Sequence, residues 1–423
     1  MLASIAAAMK IPDLKKRITF VFAMFAVYVV GLHIPVPGVD ASIIADKFGG
    51  GLFDILDTFT GGAFKKYTIF AMGIMPYINA SIIMQLLTIA IPQLEEMQKE
   101  GASGQKKIRL YTRWLTGVLA FFQAFGTTSM LRGAGAVQGG MESVLMIAIC
   151  LVAGTSFLMW LGEQITDRGI GNGVSIIIFA GIVARLPVDI GRTYEVVKTN
   201  GQWVAAFVLV AMFVATVAFI VAITQAQRKI PIQHVKRVVG NRMYGGQSSF
   251  LPMKVNSAGV IPIIFAISIQ MFPLTIANVV TKGDQAHWFT KFAQDFVPGA
   301  SWWGSLIYGL MIMFFTYFYT AVSFNVKDVS DNLKKYGSFI PGIRPGKPTQ
   351  DYLDRILTRI TLAGALFLAV IALLQYYVPD LVGITTFTLI GGTSLLIVVG
   401  VALDTMQAIE SHLLMRHYEG FIK

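Results

Sequence analysis

Charge is what this chain has least of. Only 13% of its 423 residues are Asp, Glu, Lys or Arg, about half the share found in soluble domains. With 55% hydrophobic residues, that scarcity excludes a soluble or disordered class and makes the chain an integral membrane protein. Cysteine is nearly absent: the single Cys150 lies in an apolar run, so neither a disulfide framework nor a cysteine-rich metal site can form. Residues 1 to 17 lack a small-residue cleavage site after a short apolar core, so the start reads as retained and not as a signal peptide.

Catalytic patterns are missing too. The apolar spans contain no His-Glu-x-x-His, no paired aspartates and no Gly-x-Ser-x-Gly elbow, which argues against an intramembrane enzyme. No ionisable residue lies deep within a span, since Arg185, Asp189 and Asp404 fall at span ends, whereas ion-coupled transporters generally need one. His412 and His417, five residues apart, read as solvated. Residues 342–347 lack nucleotide-loop spacing. No catalytic residue, metal or cofactor is therefore expected.

What the chain does have is ten apolar runs, at 18–34, 68–91, 114–131, 143–162, 174–189, 203–224, 258–279, 302–323, 356–377 and 386–405. An all-α protein of ten transmembrane helices follows. With both termini on the cytoplasmic side, 25 of the 34 Lys and Arg are cytoplasmic and 9 are outside, the positive-inside bias. Acidic residues split 13 to 10, so the formal +11 resolves into +12 inside and −1 outside.

Gly73 and Pro76 break the first turns of the second run, and Gly259 and Pro262 repeat the spacing in the seventh. Such breakers face protein or a water-filled cavity, and paired interrupted spans mark a pathway between two halves. A polar loop at 193–202 divides the chain into 1–195 and 196–423, each with five spans. An odd number per half inverts the second, giving a clamshell around a central pore. Ile74 and Ile78 share one helix face, and Val174 and Ile178 repeat the spacing. Such spacing also suits lipid-facing surface, but here it adjoins the breaker motifs.

The loops carry further signals. Residues 1–17 suit either a surface-lying amphipathic helix or a basic flank that orients the first span. Glycines flank Leu52, Phe53, Asp54, Ile55, Leu56, Asp57, Thr58, Phe59 and Thr60. Nine residues reach about 14 Å as a helix, so the stretch at about 50–62 is either a half-helix folded back into the membrane or a helix on the outer leaflet. Residues 93–113 read as a polar cytoplasmic connector, and Gly169, Gly171 and Gly173 as a tight turn that packs two helix ends. Residues 225–256 carry Arg228, Lys229, Lys236, Arg237, Arg242 and Lys254 with no acidic residue, around a hairpin turn at 244–247. That loop suits ribosomal RNA phosphates or anionic lipid. In the loop 325–359, two Pro-Gly steps hold Arg344 on a stiff turn suited to a partner.

These residues resemble the SecY family, channel subunits of the bacterial protein translocase. The resemblance runs through 34–38, 70–78, 169–173, 258–262, 339–346 and 391–399. It implies a non-enzymatic channel that moves unfolded polypeptides across the bacterial cytoplasmic membrane and releases hydrophobic segments into the bilayer. By resemblance, the pore ring falls on Ile74, Ile78, Val174, Ile178, Ile264 and Ile397, with Val174 where isoleucine is commoner. The stretch at 52–60 is similar to the family's plug. Spans two and three facing seven and eight are similar to its lateral gate, with Asn79, Gln85, Gln123 and Asn256 as polar gate residues. Gln123 and Asn256 are expected to hydrogen-bond across the seam. Arg344 falls on the motor-binding arginine. Expected partners are SecE-like and SecG-like small membrane subunits, the SecA motor ATPase, the ribosome, signal sequences with their unfolded polypeptides, and lipid. The alternative is a secondary transporter of a small solute.

Overall fold

The computed structural model describes residues 9–47, 57, 60–234, 237–239, 242–244, 248–280, 287–383 and 392–419. In chain order the helices are α1 (Pro12–Gly31), α2 (Ala41–Lys47), α3 (Met75–Ala90), α4 (Pro92–Lys99), α5 (Ala102–Gly133), α6 (Met141–Arg168), α7 (Gly173–Asn200) and α8 (Trp203–Gln225). Strands β1 (Gln227–His234), β2 (Arg237–Val239), β3 (Arg242–Tyr244) and β4 (Ser248–Lys254) come next. The second half continues with α9 (Ile261–Val280), α10 (Trp288–Asp295), α11 (Trp302–Ser323), α12 (Val326–Lys335), β5 (Ser338–Phe339), α13 (Lys347–Val382) and α14 (Thr393–Glu419).

Each expected span has its helix: α1, α3, α5, α6, α7, α8, α9, α11, α13 and α14. Six described helices are long and apolar enough to cross a membrane unaided, and α3 joined to α4 across a 101° bend makes a seventh. Among the rest, Lys15, Lys16 and Arg17 occupy the first turns of α1, Gln123 and several Gly and Thr dilute α5, and the apolar run of α9 is short. Packing between helices repeats across the halves. Within the first, α3 packs on α5 and α5 on α6; within the second, α9 packs on α11 and α11 on α13. The halves meet where α9 touches α3 and α5, and where α14 and α8 touch α7.

Breaker motifs start helices here instead of interrupting them. Gly73 has φ +55° and Gly259 φ +64°, a left-handed conformation that costs glycine little. Pro76 and Pro262 then lie in the first turns of α3 and α9, where a missing N–H is harmless. The second span is consequently shorter than its apolar run. At 16 residues, α3 reaches only about 24 Å, and turns at 60–74 precede it, with Ile69 N donating to Ile34 O and Val36 N to Tyr67 O at 3.0 Å each.

Polar segments hold more regular structure than expected. Residues 93–113 form α4 and the start of α5, and the fork of Arg113 onto Glu163, with Nε to Oε1 at 2.8 Å, ties α5 to α6. The loop 325–359 comprises α12, β5 and the first turns of α13. Strand β1 pairs antiparallel with both β4 and β5, so the two long basic loops share a three-stranded sheet over buried Ile230, Met253, Ile340, Leu353 and Leu357. Strand β2 pairs with β3, Val239 opposite Arg242. Of the turn expected at 244–247, residues 245–247 lie outside the described residues.

The glycine turn packs two helix ends. Thr166 Oγ1 accepts from Gly173 N at 2.9 Å, and Asn172 Oδ1 caps α7 through Val174 N and Ser175 N. A β-carbon on Gly173 would stand 1.9 Å from Gly162 O. In the loop after α1, Ser42 Oγ and N donate to Asp40 Oδ1, which holds the Asp40 carboxyl below its usual range.

Candidate functional site

Ile74, Met75, Ile78, Ile178, Ile264 and Ile267 converge with Thr60 around one central cavity. The space open to the centre of a water molecule is about 10 Å³, about enough for one water. Three elements build the constriction. The first turn of α3 and its cap supply Ile74, Met75 and Ile78; α7 supplies Ile178; α9 supplies Ile264 and Ile267. Behind them lies an apolar cluster drawn from both halves, including Ile182, Ile263, Leu368 and Ile397.

Of the six expected ring positions, the cavity gathers Ile74, Ile78, Ile178 and Ile264. Val174 and Ile397 stand outside its lining. Val174 lies in the first turn of α7, where its Cγ2 approaches Gly162 of α6, and Ile397 on α14 packs inside the apolar cluster. Met75 and Ile267 went unread, and Thr60 was read only as part of the stretch 52–60. Ile267 follows Ile264 by three residues, so the helix-face rule extended to α9 finds it; Met75 breaks that spacing, and Thr60 is remote in sequence.

Within the stretch at 52–60, Asp57 and Thr60 are described, while Leu52, Phe53, Asp54, Ile55, Leu56, Thr58 and Phe59 lie outside the described residues. Tyr28 of α1 donates its hydroxyl to Thr60 O at 3.3 Å. Arg185 and Asp189, expected at a span end, lie within the 28-residue α7 and are buried. Helix α7 runs past its apolar stretch to Asn200, which encloses both.

At the seam, α9 packs against α3 and α5. Asn79, Gln85 and Gln123 are half-buried, and Asn256 is buried. The expected hydrogen bond is absent: Asn256 Oδ1 is buried without a partner, as is Asn79 Oδ1. Asn256 precedes α9, and its Cα lies 3.8 Å from where a β-carbon on Gly364 of α13 would sit. Its backbone is thus set against the ninth span.

Basic loop residues separate into kinds. Arg228 and Lys229 are exposed on β1, with Lys229 Nζ 5.1 Å from the ring centre of Phe250. Arg237 and Arg242 are described through the backbone of β2 and β3, and Lys236 lies outside the described residues. Arg344 is exposed on a braced turn: Thr349 Oγ1 donates to Arg344 O at 2.8 Å, Ser330 Oγ to Gly346 O at 3.0 Å and Ile343 N to Ile340 O at 3.1 Å.

Comparison with known proteins decides what these features belong to. The family model described as SecY matches residues 68–406. The protein translocase subunit SecY of Streptomyces scabiei is 44% identical, covering 100% of each chain. That of Escherichia coli K12 is 45% identical over 97% of this chain and 94% of its own. The chain belongs to the SecY family.

SecY-type architecture recurs among solved structures of low sequence identity. A protein-conducting channel aligns with TM-score 0.67 and 17% identity over 96% of both chains. A SecY structure on the plug domain's role in the closed state aligns at 0.65 with 18% identity and the same coverage. Sec61 in the canine ribosome-channel complex aligns at 0.64 with 16% identity, again over 96% of each. Membership in the SecY family makes this a multi-pass membrane protein of the bacterial translocase and a channel subunit, not an enzyme or a small-solute transporter.

Proposed function

We infer that the chain conducts unfolded polypeptide through the constriction at Ile74, Ile78, Ile178 and Ile264, with Val174 and Ile397 flanking it, and releases hydrophobic segments sideways past α9. The convergence of branched apolar side chains from three helices on a cavity for one water carries this reading. A channel for arbitrary sequences must not bind any of them tightly. Branched aliphatic side chains offer no hydrogen bonds and yield to a passing chain. Ions are opposed because dehydrating them is so costly.

Several finer readings belong to the same proposal. The segment 52–60 acts as the plug; Thr60 beneath the constriction supports this, as does the plug described for the related SecY structure. Asn79, Gln85, Gln123 and Asn256 line the gate. Both termini are cytoplasmic, as the distribution of Lys and Arg favours. The sheet that joins the two basic loops then faces the cytosol and docks the ribosome and a SecA-type motor through Arg228, Lys229, Lys236, Arg237, Arg242 and Arg344. The Sec61 relative in a ribosome complex supports the first of these partners. SecE-like and SecG-like subunits clasp the halves, and a partner supplies the energy.

Reconstitution tests the reading. Vesicles containing the full chain with its small subunits are expected to import a preprotein only when motor and ATP are added. Motor-independent, saturable uptake of one small solute would oppose it.

A further inference from the structure

Helix α10 is too short to cross a membrane: its eight residues reach about 12 Å. It follows α9, which leads away from the basic sheet, and precedes α11, so it lies at the membrane face opposite that sheet. Its two sides differ. Thr290 and Ala293 are buried, and Ala293 joins Val297 and, on α9, Leu274 and Ala277 in one apolar cluster. Trp288, Lys291, Phe292 and Asp295 share the other side at spacings of three and four residues. All four are exposed, Trp288 by 72% and Phe292 by 60%.

Hydrogen bonds fix this helix to the spans on either side. Gln270 of α9 donates from Nε2 to Phe296 O and, at 2.7 Å, to Gly304 O, so one buried amide holds the end of α10 and the first turn of α11. Ser301 caps α11 by accepting from Gly304 N at 3.0 Å, and its hydroxyl donates to Asp295 O. The depth of α10 is therefore set by the spans and is the same in every copy.

Exposed apolar stripes lead to this corner along both spans. On α9, Phe272, Ile276 and Val280 are exposed four residues apart, and on α11 Trp302, Leu306, Leu310 and Phe314 repeat that interval. The rings of Trp302 and Trp303, 4.0 Å apart, end the α11 stripe, and α10 lies between the two stripe ends. Tryptophan concentrates where lipid gives way to water, because an apolar ring that carries an N–H is served by both media. A lysine among such rings keeps its stem on apolar surface and its ammonium among the phosphates. Lys291 is placed for this, and Asp295 one turn on balances its charge, so the face needs no anionic lipid.

We propose that α10 is an interfacial helix, lying along the headgroup–acyl boundary of the leaflet opposite the basic sheet with Trp288, Phe292, Trp302 and Trp303 in phospholipid. Phospholipid is the occupant because the face prolongs the exposed apolar surfaces of two membrane-spanning helices. Helices of this kind sit about 5–10 Å below the membrane surface.

The test uses the full chain, purified in the complex it forms in native membranes and reconstituted in phosphatidylcholine vesicles. Cys150→Ala removes the single native thiol, and Phe292→Cys then carries a fluorophore read against nitroxide lipids and aqueous iodide. A nitroxide on the fifth acyl carbon is expected to quench it several-fold more than one on the twelfth carbon, and several-fold more than iodide. The same label at Leu310→Cys, nearer the middle of α11, calibrates depth by preferring the twelfth-carbon nitroxide. Quenching at Phe292→Cys mainly by iodide would put the face in water, quenching by no probe would put protein over it, and a twelfth-carbon preference would put it in the bilayer core. Each of these overturns the proposal. Should Phe292→Cys not accumulate, Trp288→Cys on the same face carries the comparison with the same outcomes.

Discussion

Ser338 Oγ lies 2.8 Å from His234 Nδ1, joining β5 to β1. Two loops separated by two transmembrane helices are thereby one body, and Arg344 projects from it on a turn braced by Thr349 and Ser330. Arg344→Glu should abolish motor-driven export while leaving the chain inserted and folded, because the side chain is exposed. ATP-driven import into vesicles checks this, and import at the original rate would disprove docking at Arg344.

Seal integrity depends on the bulk around the central cavity. Replacing Ile78, Ile178 and Ile264 together by Gly should make the idle channel leak ions, since the one-water space becomes a hydrated path. Each such truncation of a packed isoleucine costs about 2–5 kcal/mol. The single change Ile178→Gly, with a smaller leak expected, is the safer companion. Unchanged conductance of both variants in planar bilayers would place the seal elsewhere.

At the proposed gate, the unpaired Asn256 Oδ1 fixes the expected sign. Removing a hydrogen bond across the seam would loosen the gate, but no such bond joins Asn256 to Gln123. A buried polar group without a partner costs about 1–3 kcal/mol in water-soluble proteins, and polar contacts within membranes average about 0.6 kcal/mol. Replacing Gln123 and Asn256 by Leu should therefore stabilise the closed seam and raise the hydrophobicity a segment needs to exit sideways. Test segments with increasing numbers of leucines, scored for insertion against export, measure the threshold; a downward shift contradicts the structure.

Gly173 gives a prediction about stability. The β-carbon of Gly173→Ala would overlap Gly162 O and lie 2.9 Å from Ile165 Cβ, so the helix ends must separate. Overpacking of this kind costs about 1–3 kcal/mol. Thermal unfolding in detergent should show a lowered midpoint, and an unaltered midpoint would mean that the turn yields freely.

Hydropathy made the spans legible because lipid imposes one strong requirement on every residue of a crossing helix. It misled where helices outrun their apolar stretch. Arg185 and Asp189 looked terminal because the run of apolar residues stops there, yet α7 continues to Asn200. The same limit hid the start of α13 at Lys347 and of α5 at Ala102. Helix-face spacing found Ile74, Ile78 and Ile178, and the family resemblance added Ile264. Spacing also pointed to Val174, and the resemblance to Ile397, both of which pack outside the cavity lining. Pairings between distant segments had no local signal: Asp57 with Arg185 and His234 with Ser338 are 128 and 104 residues apart.

The sheet that unites the basic loops ends, on its β4 side, at Lys254, and α9 begins at Ile261. Residues 255–260 are all that separates this proposed docking surface from α9, the proposed gate helix, and Gly259 among them has φ +64°. Val255 N is pinned to Ala226 O at 2.9 Å, so the strand cannot slide freely at that end. A tug on the sheet thus has a short, stiff tether to the gate helix, with one flexible joint to turn displacement into rotation. On the proposed function, docking and gate opening are two ends of a single lever.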